Sequence, residues 1–66
     1  MKPLKEYFNK TVRIIDVDNK EFNGYVETYT PEIDSEDGVE EIAIKPEGSN
    51  DLVGFTANEI KSIEIS

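Results

Sequence analysis

A glycine inside a strand pattern is the feature that most restricts how this chain can fold. Gly24 lies between Phe22 and Val26, in a segment where apolar and polar residues alternate. A glycine within a strand costs stability unless the backbone must bend sharply or a neighbouring strand must pack close. We therefore expect the second strand of the chain to be strongly curved.

The rest of the pattern predicts five short strands. From residue 11 onwards the apolar residues are β-branched and closely spaced, which is typical of strands. Turn-forming residues separate the runs, including Asp18 to Lys20 in a predicted hairpin, Pro31, and the segment 46–51. The predicted strands span residues 11–17, 21–30, 39–45, 52–56 and 60–65.

A short helix is predicted before the strands, over residues 3–9. Pro3 suits a first helical turn, and Leu4, Tyr7 and Phe8 form one apolar stripe that must pack against the rest of the chain. A flat sheet of five strands would leave an apolar face in water, so a bent sheet is expected to close into a small barrel. We predict one all-β domain over residues 1–66, with a core of Ile14, Phe22, Val26, Ile42, Ile44, Phe55, Ile60 and Ile63.

The composition argues against catalysis and against tight metal binding. The chain has 66 residues with neither cysteine nor histidine, so it lacks the usual general base, the commonest zinc ligand and any thiolate. Its serines are not followed or preceded by a nucleophile motif. We expect no enzyme activity, no catalytic residue and no cofactor.

An acidic window invites a calcium hypothesis, which its spacing does not support. Residues 27–41 hold seven acids and no cation. An EF-hand loop needs oxygen ligands at positions 1, 3 and 5 before its glycine. Counting back from Gly38, those positions fall on Ile33, Ser35 and Asp37, so only one carboxylate is in register. We predict a solvated acidic loop and no metal site.

The net charge of −8 is unevenly distributed along the chain. Residues 1–20 sum to +2 and residues 21–66 to −10. This balance opposes non-specific attraction to phosphate backbones and to anionic membranes. With no apolar run long enough to cross a bilayer and a charged start, we expect a cytoplasmic protein without a membrane partner.

Some side chains could still bind RNA locally. Tyr25 and Tyr29 would project from one face of the second strand, where they could stack on bases or simply cover the outer wall of the barrel. Lys5, Lys10 and Arg13 belong to the cationic first part of the chain. We treat these five residues, together with Glu32 and Asp34 of the acidic loop, as candidate binding residues.

The pattern of the whole chain resembles the Sm-like (LSm) family. The resemblance rests on the segment DNKEFNGYV, with Phe22, Asn23 and Gly24 in the place of the first motif, and on the ending LVGF…NEIKSIEI. It covers nearly the entire chain and implies a five-stranded SH3-like barrel. It also implies rings, in which the fourth strand of one subunit adds to the fifth strand of the next, and binding of RNA.

The residues of the family's RNA pocket are not matched. The positions of its aspartate, its stacking side chain and its base-reading asparagine fall on Thr30, Glu32 and Asp34. The arginine and glycine of the second motif fall on Thr56 and Ala57. Glu32 offers a charge where a stacking face is expected, and an ionised Asp34 cannot donate a hydrogen bond.

These observations leave two functions open. The first is a non-catalytic Sm-like module that associates with RNA through a surface other than the usual pocket. The second is an acidic adaptor that binds a protein partner through its acidic loop or an exposed strand edge, without nucleic acid. We expect a homo-oligomer formed by strand-edge pairing, because the fourth and fifth strands would otherwise leave their edges to water. The alternative is a monomer, which repulsion between subunits of net charge −8 favours.

Overall fold

A single antiparallel sheet makes up most of the computed structural model, which describes residues 3–36 and 38–66. Within these residues the strand order is β4-β3-β2-β1-β5. The strands are β1 (Thr11–Asp16), β2 (Glu21–Thr30), β3 (Glu41–Pro46), β4 (Val53–Thr56) and β5 (Ile60–Ile65). The predicted all-β class with five antiparallel strands is confirmed.

The N-terminal helix is shorter and tighter than predicted. It is a 3-10 helix over Leu4–Tyr7, where a helix over residues 3–9 was expected. Asn9 adopts a left-handed φ of 63°, and its N–H donates to the carbonyl of Val26 at 3.0 Å. Because that bond turns the chain into β1, no further helical turn can form. Two more 3-10 helices occupy links within the described ranges, Glu32–Asp34 and Ala57–Glu59.

The sheet is strongly curved, and the length of the link between its two outer strands shows this. Only Ala57–Glu59 joins β4 to β5, although these strands lie at opposite edges of the sheet. The four residue steps from Thr56 to Ile60 reach about 14 Å at most. The edges of a flat five-stranded sheet would be about 19 Å apart. The edges must therefore curl towards each other.

The predicted closure into a barrel is wrong. β4 and β5 are the outer strands of an open sheet and are not neighbours in it. The link between them is tied elsewhere, because the N–H of Ala57 donates to the carbonyl of Glu40 and the N–H of Val17 donates to that of Glu59. These bonds continue the pairing of β4 with β3 and of β5 with β1 into the link, and β4 and β5 do not pair with each other.

The core lies on the concave side of the curved sheet, and the N-terminal 3-10 helix packs against it. Seven of the eight predicted core residues are buried, and Phe22 is half-buried with its ring edge-on to Phe55 at 5.0 Å. The buried side chains are Leu4, Tyr7, Val12, Ile14, Val26, Ile42, Ile44, Phe55, Ile60 and Ile63. Leu4 and Tyr7 are three residues apart and therefore face the same side of the 3-10 helix.

Two irregularities shape β2. At Gly24 the strand comes so close to β3 that an added Cβ would lie 2.4 Å from the carbonyl oxygen of Lys45. Further along, Val26 pairs with Ile44 but Thr28 pairs with Ala43, so Glu27 is an extra residue in a β-bulge. A bulge of this kind bends the strand and changes the face to which the following side chains point.

Candidate functional site

Tyr25 is the aromatic residue that β2 presents on the convex face of the sheet. Its cross-strand partners are Thr11 on β1 and Lys45 on β3, and residues paired in this way stand side by side on one face. Its neighbours Gly24 and Val26 are buried, whereas Tyr25 is 41% exposed. An aromatic ring is therefore available to solvent with a lysine beside it.

The end of the N-terminal segment fixes this ring. The hydroxyl of Tyr25 donates to Oδ1 of Asn9 at 3.1 Å. The carbonyl of Lys10 accepts from the N–H of Val26 at 2.9 Å, which holds residues 9 and 10 against β2. We call the surface formed by Asn9, Lys10, Tyr25 and Lys45 the Tyr25 face.

The cations of the Tyr25 face are not neutralised by ion pairs. Lys10 and Lys45 are exposed, and the single ion pair among the described residues joins Arg13 to Glu21 at 3.1 Å. Lys5, another candidate, is exposed on the N-terminal 3-10 helix rather than on the sheet. Of the five candidate cations and aromatic residues, Lys5, Lys10 and Tyr25 thus remain open to a ligand.

Arg13 is engaged with carboxylates. Its guanidinium donates to Oε1 of Glu21, and this bond, with another from Asn23, holds the pKa of the Glu21 carboxyl below its ordinary value. The neighbouring strand adds Glu64 directly opposite Arg13. The charge of Arg13 is therefore already compensated within the protein.

Tyr29 does not share a face with Tyr25, contrary to the prediction. The bulge at Glu27 reverses the alternation, so Tyr29 pairs with Ile42 and packs against the core. Its hydroxyl donates to Oε1 of Glu40 at 2.7 Å. This bond, followed by burial and the nearby negative charge, raises the pKa of the Tyr29 phenol. Tyr29 anchors the loop after β2, and its ring is partly buried against the core.

Glu32 and Asp34 lie in the loop between β2 and β3. Both are exposed within the second 3-10 helix, whose N–H groups bond within the turn, that of Asp34 to the carbonyl of Pro31 at 3.0 Å. Between them, Ile33 is 87% exposed. The side chains of Glu32 and Asp34 are therefore in solvent, and they do not form a metal site with other described acids. Asp37, another acid of the loop, lies outside the described residues.

Thr56 and Ala57, which the resemblance places at the second motif, have structural roles. Thr56 caps the third 3-10 helix in a reciprocal arrangement with Glu59, whose Oε1 accepts from the N–H of Thr56 at 2.9 Å. Ala57 donates its N–H to the carbonyl of Glu40 at 2.8 Å. These backbone groups are occupied by the fold itself.

Two other kinds of ligand site, an enclosed cavity and a metal centre, are absent from the described residues. Across residues 3–36 and 38–66 no cavity is present, and no three acidic side chains come together as a metal site would require. In the same ranges no helix has the length and apolar character needed to span a membrane.

The sequence reasoning missed Asn9 and Lys45. Asn9 meets Tyr25 across 16 residues of chain and Lys45 meets it across a strand pair, and neither contact follows from a single strand pattern. One signal was present: Lys45 continues the alternation of Ile42 and Ile44, and it is one of only two cations in residues 21–66. That alternation places its side chain on the convex face.

Comparison with known proteins adds no further assignment. The sequence matches no protein family model, no curated protein and no solved structure.

Proposed function

We propose that this chain is a non-catalytic Sm-like binding module that associates with single-stranded RNA through the Tyr25 face rather than through the family's usual pocket. The observation that carries the proposal is the exposed ring of Tyr25 beside Lys45, with the exposed Lys10 in the segment whose backbone bonds to the adjacent Val26. Bases stack on an exposed aromatic ring irrespective of sequence, and lysines bind the neighbouring phosphates.

The overall charge limits how tight this binding can be. A protein with a net charge of −8 repels a polyanion at long range, so the attraction must come from a few local contacts. Each phosphate neutralised on a single strand changes the slope of log K against log salt by about −0.7. With Lys10 and Lys45 engaged, the expected slope is about −1.4, which is shallow for an RNA-binding protein.

The test is a binding titration of a fluorescent oligoadenylate of about 12 nucleotides at several salt concentrations. Tyr25→Thr keeps a strand-forming residue and removes the ring. It should weaken binding by about 5-fold to 100-fold, the range expected for one stacked base. Lys45→Gln should weaken binding to all sequences alike and reduce the salt slope by about 0.7.

Two control variants test whether the loss of affinity is specific to the ring of Tyr25 and to the position of Lys45. Tyr25→Phe keeps the stacking ring and loses only the bond to Asn9, so it should bind nearly as the parent does. Lys20→Gln changes the net charge as Lys45→Gln does, but from the turn between β1 and β2, and should leave the affinity unchanged. Equal affinity of Tyr25→Thr and the parent would contradict the proposal, as would a strong uridine preference lost in Asp34→Asn.

The second part of the proposal is self-association through the edges of β4 and β5. Ile65 pairs with the buried Val12 and so faces the core side of the sheet, yet it is 48% exposed because no strand covers the outer edge of β5. An antiparallel β4 of a second copy would continue the ladder and place Val53 and Phe55 on the same side as Ile63 and Ile65. The contact is head-to-tail and forms a ring where the rotation closes.

Sedimentation at low and at physiological salt tests this association. The parent should sediment as a species larger than its 7.5 kDa chain, more so at higher salt because screening reduces the repulsion between subunits. Ile65→Asp should sediment at the mass of one chain. Asn50→Asp adds the same charge in a loop and serves as the control. A parent of single-chain mass in both conditions, well above micromolar concentration, would exclude the ring.

The alternative function is an acidic protein-interaction adaptor without nucleic-acid binding. The exposed Ile33, flanked by Glu32 and Asp34, favours it, because an apolar side chain held in solvent is a common anchor of protein contacts. The RNA titration separates the two functions: the adaptor predicts no binding at any salt concentration.

A further inference from the structure

Ile33 is held outward by a turn with its own hydrogen bonds. The N–H of Ser35 donates to the carbonyl of Glu32 at 3.2 Å, and that of Asp34 donates to the carbonyl of Pro31 at 3.0 Å. At the far end of the loop, Glu40 is bonded to Tyr29. The loop thus presents Ile33, the most exposed large apolar residue described, between two carboxylates. We call residues 32–34 the acidic knob.

The N-terminal 3-10 helix carries a surface of opposite character. Phe8 directly follows this helix, and its N–H donates to the carbonyl of Lys5 at 3.2 Å, while Leu4 and Tyr7 face the core. Phe8 is 42% exposed, Lys5 is exposed, and neither Lys5 nor Lys10 forms an ion pair with any described residue. The exposed Phe8 and the two exposed lysines of the same short segment, Lys5 and Lys10, form what we call the Phe8 surface.

We propose that the acidic knob of one copy docks on the Phe8 surface of a second copy, with Ile33 against the ring of Phe8. Charge complementarity favours this occupant. Residues 31–40 hold five acids and no cation, whereas residues 1–10 hold three cations and one acid. Within one molecule both Ile33 and Phe8 are exposed, so they do not cover each other there.

The size of the two surfaces sets the strength of the contact. One aliphatic and one aromatic side chain with two or three charge pairs bury far less than the ~1,200 Å² of total area found in specific stable interfaces. The contact is therefore weak, and it acts at high protein concentration or as an addition to the pairing of strand edges. It goes beyond the proposed function, since it requires neither RNA nor a strand edge.

The two surfaces differ from each other, and this permits a decisive complementation experiment. A knob variant, Glu32→Lys with Ile33→Ser, keeps the Phe8 surface. A surface variant, Lys5→Glu with Phe8→Ser, keeps the knob. Both are made in an Ile65→Asp background, so that pairing of strand edges does not contribute. All four changed side chains are exposed, and well-dispersed amide spectra verify that each variant is folded.

Amide chemical shifts report the contact by residue. The Ile65→Asp parent should show concentration-dependent shifts at residues 4–10 and 31–36. Each variant alone should lose at least about four-fifths of them, because the removed apolar contact and charge pairs supply most of this small interface. Adding the unlabelled surface variant to the ¹⁵N-labelled knob variant should restore the shifts at residues 4–10, since one intact knob then meets one intact Phe8 surface.

Two results would overturn the proposal. One is a mixture of the variants that gives no shifts at residues 4–10. The other is a knob variant that retains the concentration dependence of the parent. A failure of RNA binding or of the strand-edge ring leaves this readout unchanged, because neither contributes in the Ile65→Asp background without RNA.

Discussion

At Gly24 the limit on the side chain is set by the backbone of β3. An added Cβ would lie 2.4 Å from the carbonyl oxygen and 2.8 Å from the carbonyl carbon of Lys45, closer than real atoms approach. Backbone atoms in a paired strand cannot move away without breaking the ladder. Gly24→Ala should therefore destabilise the fold by about 3 kcal/mol or more, at the upper end of overpacking effects.

Urea unfolding followed by circular dichroism measures this cost, and Gly54→Ala provides the control. At Gly54 the nearest atom to an added Cβ is the flexible Oε2 of Glu41 at 3.4 Å, an ordinary contact. That variant should stay within about 1 kcal/mol of the parent. Similar midpoints for both variants would show that β2 and β3 do not approach each other as described.

The hydrogen bond from Tyr29 to Glu40 should be visible in the alkaline titration of the protein. The bond to the carboxylate favours the protonated phenol, and so raises the pKa of Tyr29 above its ordinary value. Its contribution to stability is fully present below the pKa of the unfolded chain and is lost as the pH rises through the higher pKa of the folded state. The Tyr29 phenol should therefore ionise at a pH above that of an ordinary phenol.

Ultraviolet titration of tyrosinate tests this shift by difference. Subtracting the Tyr29→Phe curve from that of the parent should leave a step at raised pH, and Glu40→Gln should move that step towards lower pH. Glu36→Gln removes a charge from the same loop without touching the phenol, and should have little effect. If Glu36→Gln and Glu40→Gln changed the titration equally, the hydrogen bond would not be the cause of the shift.

At the scale of the element, β2 consists of two segments, one before and one after Glu27. The alternation of inward and outward side chains is offset by one residue between them. Removing Glu27 leaves Val26, Thr28 and Tyr29 opposite Ile44, Ala43 and Ile42, which is a regular ladder. Deletion of Glu27 should therefore give a folded protein, less stable by about 1 to 2 kcal/mol because the bend of the bulge is lost.

Deletion of Ala43 is the matched control for this prediction. It removes one residue from the partner strand and turns one of the two buried residues Ile42 and Ile44 to the opposite face. This variant should not fold cooperatively, as judged by amide spectra and thermal unfolding. An unfolded protein on deletion of Glu27, or a folded one on deletion of Ala43, would contradict the register of β2 and β3.

The strands were predictable because their signal is local. Ile42 and Ile44 alternate with smaller or polar residues, and they are buried as expected. The bulge was not predictable, since the residues around Glu27 show no break in alternation and only pairing with β3 reveals it. Regular alternation therefore gives the correct outer face for Tyr25, which precedes the bulge. It gives the wrong face for Tyr29, which follows the bulge.

At the scale of the whole molecule, the sequence predicted a bent sheet with edges at its fourth and fifth strands, but it did not predict that the sheet stays open. Gly24 and the short turns indicate curvature. Closure would require backbone hydrogen bonds between β4 and β5, whereas the link between them bonds to the residues beside β3 and β1, through Ala57 and Glu59. Such bonds depend on main-chain positions rather than on residue types, so the pattern of side chains does not predict them.

The two open edges also govern the colloidal behaviour of the protein. Unpaired edges are templates for any other strand, and net charge keeps such surfaces apart in solution. The isoelectric point lies near pH 4.3. At that pH, protonation of carboxylates has brought the net charge of the protein to zero, and the repulsion between molecules is lost. In mild acid, open edges of different molecules can therefore pair non-specifically. Concentrated solutions should stay free of aggregates only when the pH is well above the isoelectric point.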